Sequence, residues 1–143
     1  MSDIIFKRLS KEKIKYDNLS YKILNNSNTY IRVNVKGLII NLSRNYPYSC
    51  PISIKFNKRD YLDYCIENST LFNLCNSPNC LHCTTLLCPN NWSPSIGIKD
   101  IVCEVKYNFY KINNLKKYSQ IFRNLKLPDE IIAIICMFCY SYL

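Results

Sequence analysis

The sequence predicts an α+β fold in a single domain spanning residues 1–143, on three observations. A basic segment near the start spaces its apolar residues at helical intervals. Short period-two segments joined by tight turns follow it. Two further stretches return to helical spacing. A chain of 143 residues leaves little room for a second domain, and 48% hydrophobic residues supply a core at that length.

Residues 3–16 read as the first helix. Ile5, Phe6, Leu9 and Tyr16 make its apolar side, and Lys7, Arg8, Lys11, Lys13 and Lys15 cover the rest. Between residues 20 and 43 the period shortens to that of strands: Tyr21 and Ile23, then 30–35, then 38–42. Asn25-Asn26-Ser27-Asn28 and Lys36-Gly37 supply the turns, giving an antiparallel meander. Pro47 and Pro51 make the next stretch irregular, because proline fixes φ and removes a ladder donor. Residues 51–56 alternate again as a fourth strand. A short helix is expected around 60–66, inside a stretch from 57 to 95 that otherwise lacks a period. Ile98, Ile101, Val102, Val105 and Phe109 then mark a buried helix over 96–110, capped by Ser93 or Ser95, and a last helix starts near Pro128. The expected architecture is a four-stranded antiparallel meander with N-terminal, central and C-terminal helices.

Composition removes several function classes. Two glycines, Gly37 and Gly97, exclude Gly-rich phosphate loops, and one histidine, His82, excludes a multi-histidine metal site. The net charge of +9 has no dense arginine cluster or aromatic–basic stripe beside it, so nucleic acid is not expected as a partner. Asn, Ile, Lys and Tyr are enriched together, as in proteins of AT-rich genomes such as those of some protists and large DNA viruses. That bias supplies much of the lysine excess. Nine cysteines, an odd number, and a start without an apolar signal region argue against a secreted disulfide framework. A reducing compartment is expected, cytoplasm or nucleus (host-cell cytoplasm for a viral protein). The longest apolar run, 131–138, falls short of the ~20 residues of a membrane-spanning helix.

Three motifs then line up in order. Tyr46-Pro47-Tyr48-Ser49-Cys50-Pro51 runs into Ile52, Ile54 and Phe56. Cys83-Thr84-Thr85-Leu86-Leu87 follows. Trp92-Ser93-Pro94 leads into Ile98 and Ile101. This set, after a basic helix and a meander, resembles the ubiquitin-conjugating enzymes over residues 4–110. Residues 111–143 form a C-terminal helical extension. The resemblance implies a UBC-like fold, and acyl transfer in which ubiquitin or a ubiquitin-like protein rides as a thioester on Cys83. It assigns the oxyanion donor to Asn79, in Ser77-Pro78-Asn79 where the family has His-Pro-Asn. It implies no cofactor, and as partners the ubiquitin-activating enzyme and a ubiquitin ligase. Lys7, Arg8, Lys11 and Lys13 would dock the activating enzyme, a role that competes with a plain solvated face.

The sequence departs from the family at the site itself. Ser77 stands for the histidine, the Asn79–Cys83 gap is several residues shorter than in the family, the Cys83–Trp92 spacing is one residue longer, and no glycine precedes Cys83. Cys88 and Cys80 are rival nucleophile positions. These departures also fit an inactive family variant that serves as a binding or scaffold module in a larger assembly. A third reading comes from the residues alone. Cys75, Cys80, Cys83 and Cys88 put four thiols in fourteen residues, a set able to hold a structural zinc ion. A thiolate bound to zinc is not a free nucleophile, so the two assignments of Cys83 exclude each other. His82 adjoins Cys83 but points to the opposite side of an extended chain, a poor position for a base. Trp92 reads as a core anchor, since an indole buries ~150–250 Å².

Overall fold

A computed structural model describes residues 2–24, 30–69 and 85–141. Helix α1 (Ser2–Lys15) leads into strands β1 (Ser20–Ile23), β2 (Ile31–Val35), β3 (Leu38–Leu42), β4 (Ser53–Phe56) and β5 (Arg59–Asp60). Helices α2 (Tyr61–Glu67), α3 (Ile98–Asn124) and α4 (Asp129–Ser141) follow. The strands form one antiparallel sheet in the order β1-β2-β3-β4-β5.

Alternation explains the sheet's sidedness. Ile31, Val33 and Val35 of β2 are buried while Arg32 and Asn34 are exposed. The register puts Ile31 opposite Leu42, Val33 opposite Ile40 and Val35 opposite Leu38, with Ile54 opposite Ile40. One face of the sheet is thus a continuous aliphatic layer. Helices cover it: Ile5 and Leu9 of α1, Tyr61, Tyr64 and Cys65 of α2, and Ile98, Ile101, Val102, Val105, Phe109 and Ile112 of α3 join the same core. Tyr64 lies flat on Phe109 (ring centroids 3.9 Å apart, 4° between planes), and Phe56 meets Phe109 edge-on at 4.9 Å.

Two expectations are corrected. The meander has a fifth strand beyond the four predicted. Asn57 and Lys58 both take left-handed conformations (φ 50° and 66°), closing a two-residue hairpin that returns Arg59–Asp60 along β4. Two residues are too few to show a period. The central helix does not end near 110 but runs 27 residues to Asn124. Asn113 and Asn114 are weak helix formers, but Ile112 and Leu115 are buried and the Tyr64 hydroxyl donates to Asn113 Oδ1 at 2.9 Å. Packing decides the matter there. The helix stops where Lys126 turns left-handed (φ 56°): Lys126 N–H donates to the Arg123 carbonyl and Leu127 N–H to the Phe122 carbonyl. Helix α4 then packs back on the distal half of α3 through Leu115, Ile132 and Cys136. No helix among the described residues is long and apolar enough to cross a membrane.

The start of α3 is held by a cap other than the serines expected. The backbone N–H of Gly97 donates to Asp100 Oδ2 at 2.8 Å. A side chain at position 97 would run into the Glu12 carboxylate. Glu12 is only 4% exposed and paired with Arg8 at 3.4 Å, so it cannot swing away cheaply. Gly97→Ala is therefore expected to lower stability by about 1–3 kcal/mol in urea titration. An unchanged midpoint would show that α1 yields at this contact.

Candidate functional site

The site is organised where the proline corner meets the loop before α3. Tyr46, in the connection between β3 and β4, has a fully buried ring, and the Tyr46–Pro47 peptide is cis. Burial pushes the Tyr46 phenol up to about 12, against the lowering pull of Arg8. The Trp92 indole lies against Tyr46 with ring centroids 6.0 Å apart, and its Nε1–H donates to the Pro47 carbonyl at 2.7 Å. The anchoring expected of Trp92 is thus directed at the corner. Two segments 45 residues apart are joined by a hydrogen bond that also satisfies an indole half removed from water.

The loop from Thr85 to Trp92 is a chain of tight turns. Cys88 N–H donates to the Thr85 carbonyl, Asn91 N–H to the Cys88 carbonyl, and Trp92 N–H to the Pro89 carbonyl. Its start is fixed from α3. Leu86 N–H donates to both carboxylate oxygens of Glu104, at 3.0 and 3.2 Å. The Tyr61 hydroxyl donates to Glu104 Oε1 at 2.9 Å and accepts from Asn108 Nδ2 at 2.6 Å. A polar network thus crosses the core from α3 through α2 to the loop. Sequence reading missed Glu104, Asn108 and Tyr61. The one available signal was their position on the flank of the apolar stripe of α3 and at the start of α2. Burial raises the Glu104 pKa above its ordinary 4.5, and the bonds from Tyr61 and Leu86 oppose that rise. Burial also drives the Tyr61 phenol far up.

Between the corner and the loop lies a cleft of about 660 Å³. Cys50, Ile52, Leu62, Leu87 and Pro89 line it, with the carboxylates of Asp60 and Asp63 at one side. Asp60 is committed to capping α2, accepting from Leu62 and Asp63 N–H groups. Cys50 is half-buried, and its thiol points to the Leu87 carbonyl at 3.3 Å. Burial pushes its pKa up, and the same cause pushes Cys65 up to about 12.

The sequence-predicted residues divide as follows. Asn79 and Cys83, and with them Cys75, Cys80 and His82, lie outside the described residues. Cys88, a rival nucleophile position and fourth thiol of the zinc set, is a buried residue of the loop itself. Among the described residues no three side chains are grouped to hold a metal ion. On α1, Lys7, Lys11 and Lys13 are exposed, which fits a docking surface and a plain solvated face alike. Arg8 is turned inward: it pairs with Glu12 and donates to the Ser95 carbonyl at 3.0 Å, tying α1 to the start of α3. Comparison with protein-family models, with curated proteins and with solved structures finds no match to this chain.

Two outcomes follow. Glu104 binds its proton more tightly folded than unfolded, so it contributes a stability that falls as pH rises from 4.5 through its raised native pKa. Subtracting the stability–pH curve of Glu104→Gln from that of the parent should isolate this downward slope. A flat difference would contradict the burial of the charge. Among the described cysteines, iodoacetamide at neutral pH should label exposed Cys103 before half-buried Cys50, and reach Cys65 and Cys88 only on unfolding. Peptide mass mapping reads the order, and early labelling of Cys88 would show that the loop opens.

Proposed function

We propose that the chain has the ubiquitin-conjugating fold and works in conjugation of a ubiquitin-like protein, carrying the modifier as a thioester on Cys83. The observation that carries this reading is the Trp92–Pro47 hydrogen bond, which brings two of the three family-like motifs into contact. The third, Cys83–Leu87, runs directly into the loop that this bond holds and that Glu104 pins at Leu86. In the proposed reaction the Cys83 thiolate attacks the modifier's C-terminal carbonyl, held as a thioester on the activating enzyme. A new C–S bond forms and the activating enzyme's thiolate leaves. A substrate amine then attacks the same carbonyl, expels the Cys83 thiolate and gives its proton to solvent. Asn79 would donate to the oxyanion of each tetrahedral intermediate, a contribution typically worth ~2.7–4 kcal/mol.

A second reading is favoured by a specific observation. Two described thiols at the cleft and its loop are poorly placed as nucleophiles: Cys50 donates to the Leu87 carbonyl and burial raises its pKa, and Cys88 is buried. A cleft with apolar walls and quiet thiols suits a family variant that binds without reacting.

One experiment separates the two. The chain is incubated with ubiquitin-activating enzyme, ATP and ubiquitin, then run on a non-reducing gel. Thioester carriage predicts an adduct that reductant removes, that Cys83→Ala abolishes and that Cys88→Ala retains. Absence of an adduct with ubiquitin and with each ubiquitin-like protein, given its own activating enzyme, would sink the catalytic reading and leave the binding module.

A further inference from the structure

The edge of the sheet at β1 offers a surface that the thioester reading does not use. Among the described residues no strand pairs with the outer side of β1, and all four of its residues are exposed. The phase of its ladder follows from one bond. Leu24 N–H donates to the Tyr30 carbonyl at 2.8 Å, in line with the register that pairs Lys22 with Arg32 and Ser20 with Asn34. Antiparallel pairs alternate between bonded and non-bonded. Ser20, Lys22 and Leu24 therefore bond inward to β2, and the N–H and C=O groups of Tyr21 and Ile23 face outward.

The side chains add a pattern to that unpaired backbone. Tyr21 and Ile23 stand opposite Val33 and Ile31, on the core side of the sheet, yet remain 37% and 47% exposed because the helix layer ends short of this edge. Phe6 of α1 meets Tyr21 at 6.2 Å between ring centroids and borders a shallow hollow of about 390 Å³ flanked by Lys7 and Lys11. On the other face Lys22 lies directly opposite Arg32, two exposed cations in one register pair. Like charges so placed repel.

We propose that the β1 edge docks an extended segment of another protein, added antiparallel as a sixth strand, with apolar and acidic residues in alternation. Its apolar side chains cover Tyr21, Ile23 and Phe6. Its carboxylates on the opposite face neutralise Lys22 and Arg32. Its backbone satisfies the outward groups of Tyr21 and Ile23. Charge selects this occupant over a second copy. Pairing two β1 strands about Lys22 would set lysine beside lysine in chains that each carry +9.

Fluorescence anisotropy with a labelled seven-residue peptide alternating Val and Glu tests the proposal. In the antiparallel register the Val residues lie opposite Tyr21 and Ile23 and exchange backbone bonds with them. N-methylation of the Val amides should weaken binding by about tenfold or more, whereas N-methylation of the Glu amides should leave it within about twofold. Replacing Glu by Lys in the peptide, or Lys22→Glu in the protein, should each weaken it several-fold. Equal binding of the two methylated peptides would overturn the proposal, because contact would then be by charge alone. So would no saturable binding, or a dimer in sedimentation that Ile23→Pro dissociates.

Discussion

The hydrogen bond from the Trp92 indole to the Pro47 carbonyl is the tie on which the candidate site depends. The meander buries one face against the helices, and its connection from β3 to β4 passes through Tyr46 and the proline corner without a ladder to guide it. The loop before α3 likewise has no ladder: it runs through tight turns and is held by Leu86, Leu87 and Trp92 packed against the core. Trp92 answers both, since one ring fills space beside Tyr46 while its N–H satisfies a carbonyl at the corner.

Helix α3 is the spine that relates this tie to the rest. Its apolar stripe seals the sheet through Ile98, Ile101, Val102, Val105 and Phe109, and its flank carries Glu104 and Asn108 into the polar network that fixes Leu86. A carboxylate kept from water in this way is costly unless its acceptor capacity is filled. Tyr61 and Leu86 fill it here, so the network specifies where the loop begins as well as contributing stability. The same burial that orders the site also quiets its thiols. Cys50 and Cys65 are both pushed toward their protonated forms. A reactive sulfur at this end of the molecule therefore needs an environment different from theirs.

Sequence periodicity carried most of the architecture. Residues 31–35 and 38–42 alternate because one face meets helices and the other water, and the α3 stripe repeats because one side meets the sheet. It failed where polar groups are buried. Glu12 sits among the lysines of α1 and reads as part of a solvated face, yet it is buried against Arg8 and Gly97. Tyr61 and Asn108 find each other across 47 residues, and no local pattern announces such a pair. The cysteines near the cleft look alike in sequence. Fold context separates Cys88, which is buried, from Cys50, which opens on the cleft. Arg8 shows the same limit from the other side, as a member of a basic row whose guanidinium serves an internal contact.

In the proposed function the corner–tryptophan tie frames a reactive thiol beside an oxyanion donor. A crystal structure that shows residues 77–88 tests it most directly, through the positions of Cys83 Sγ and Asn79 Nδ2. Both are expected to open on one groove beside Trp92, with the amide within hydrogen-bond reach of a carbonyl carried on the sulfur. A Cys83 sulfur buried in the core, or bound with Cys75, Cys80 and Cys88 around a metal ion, would contradict it.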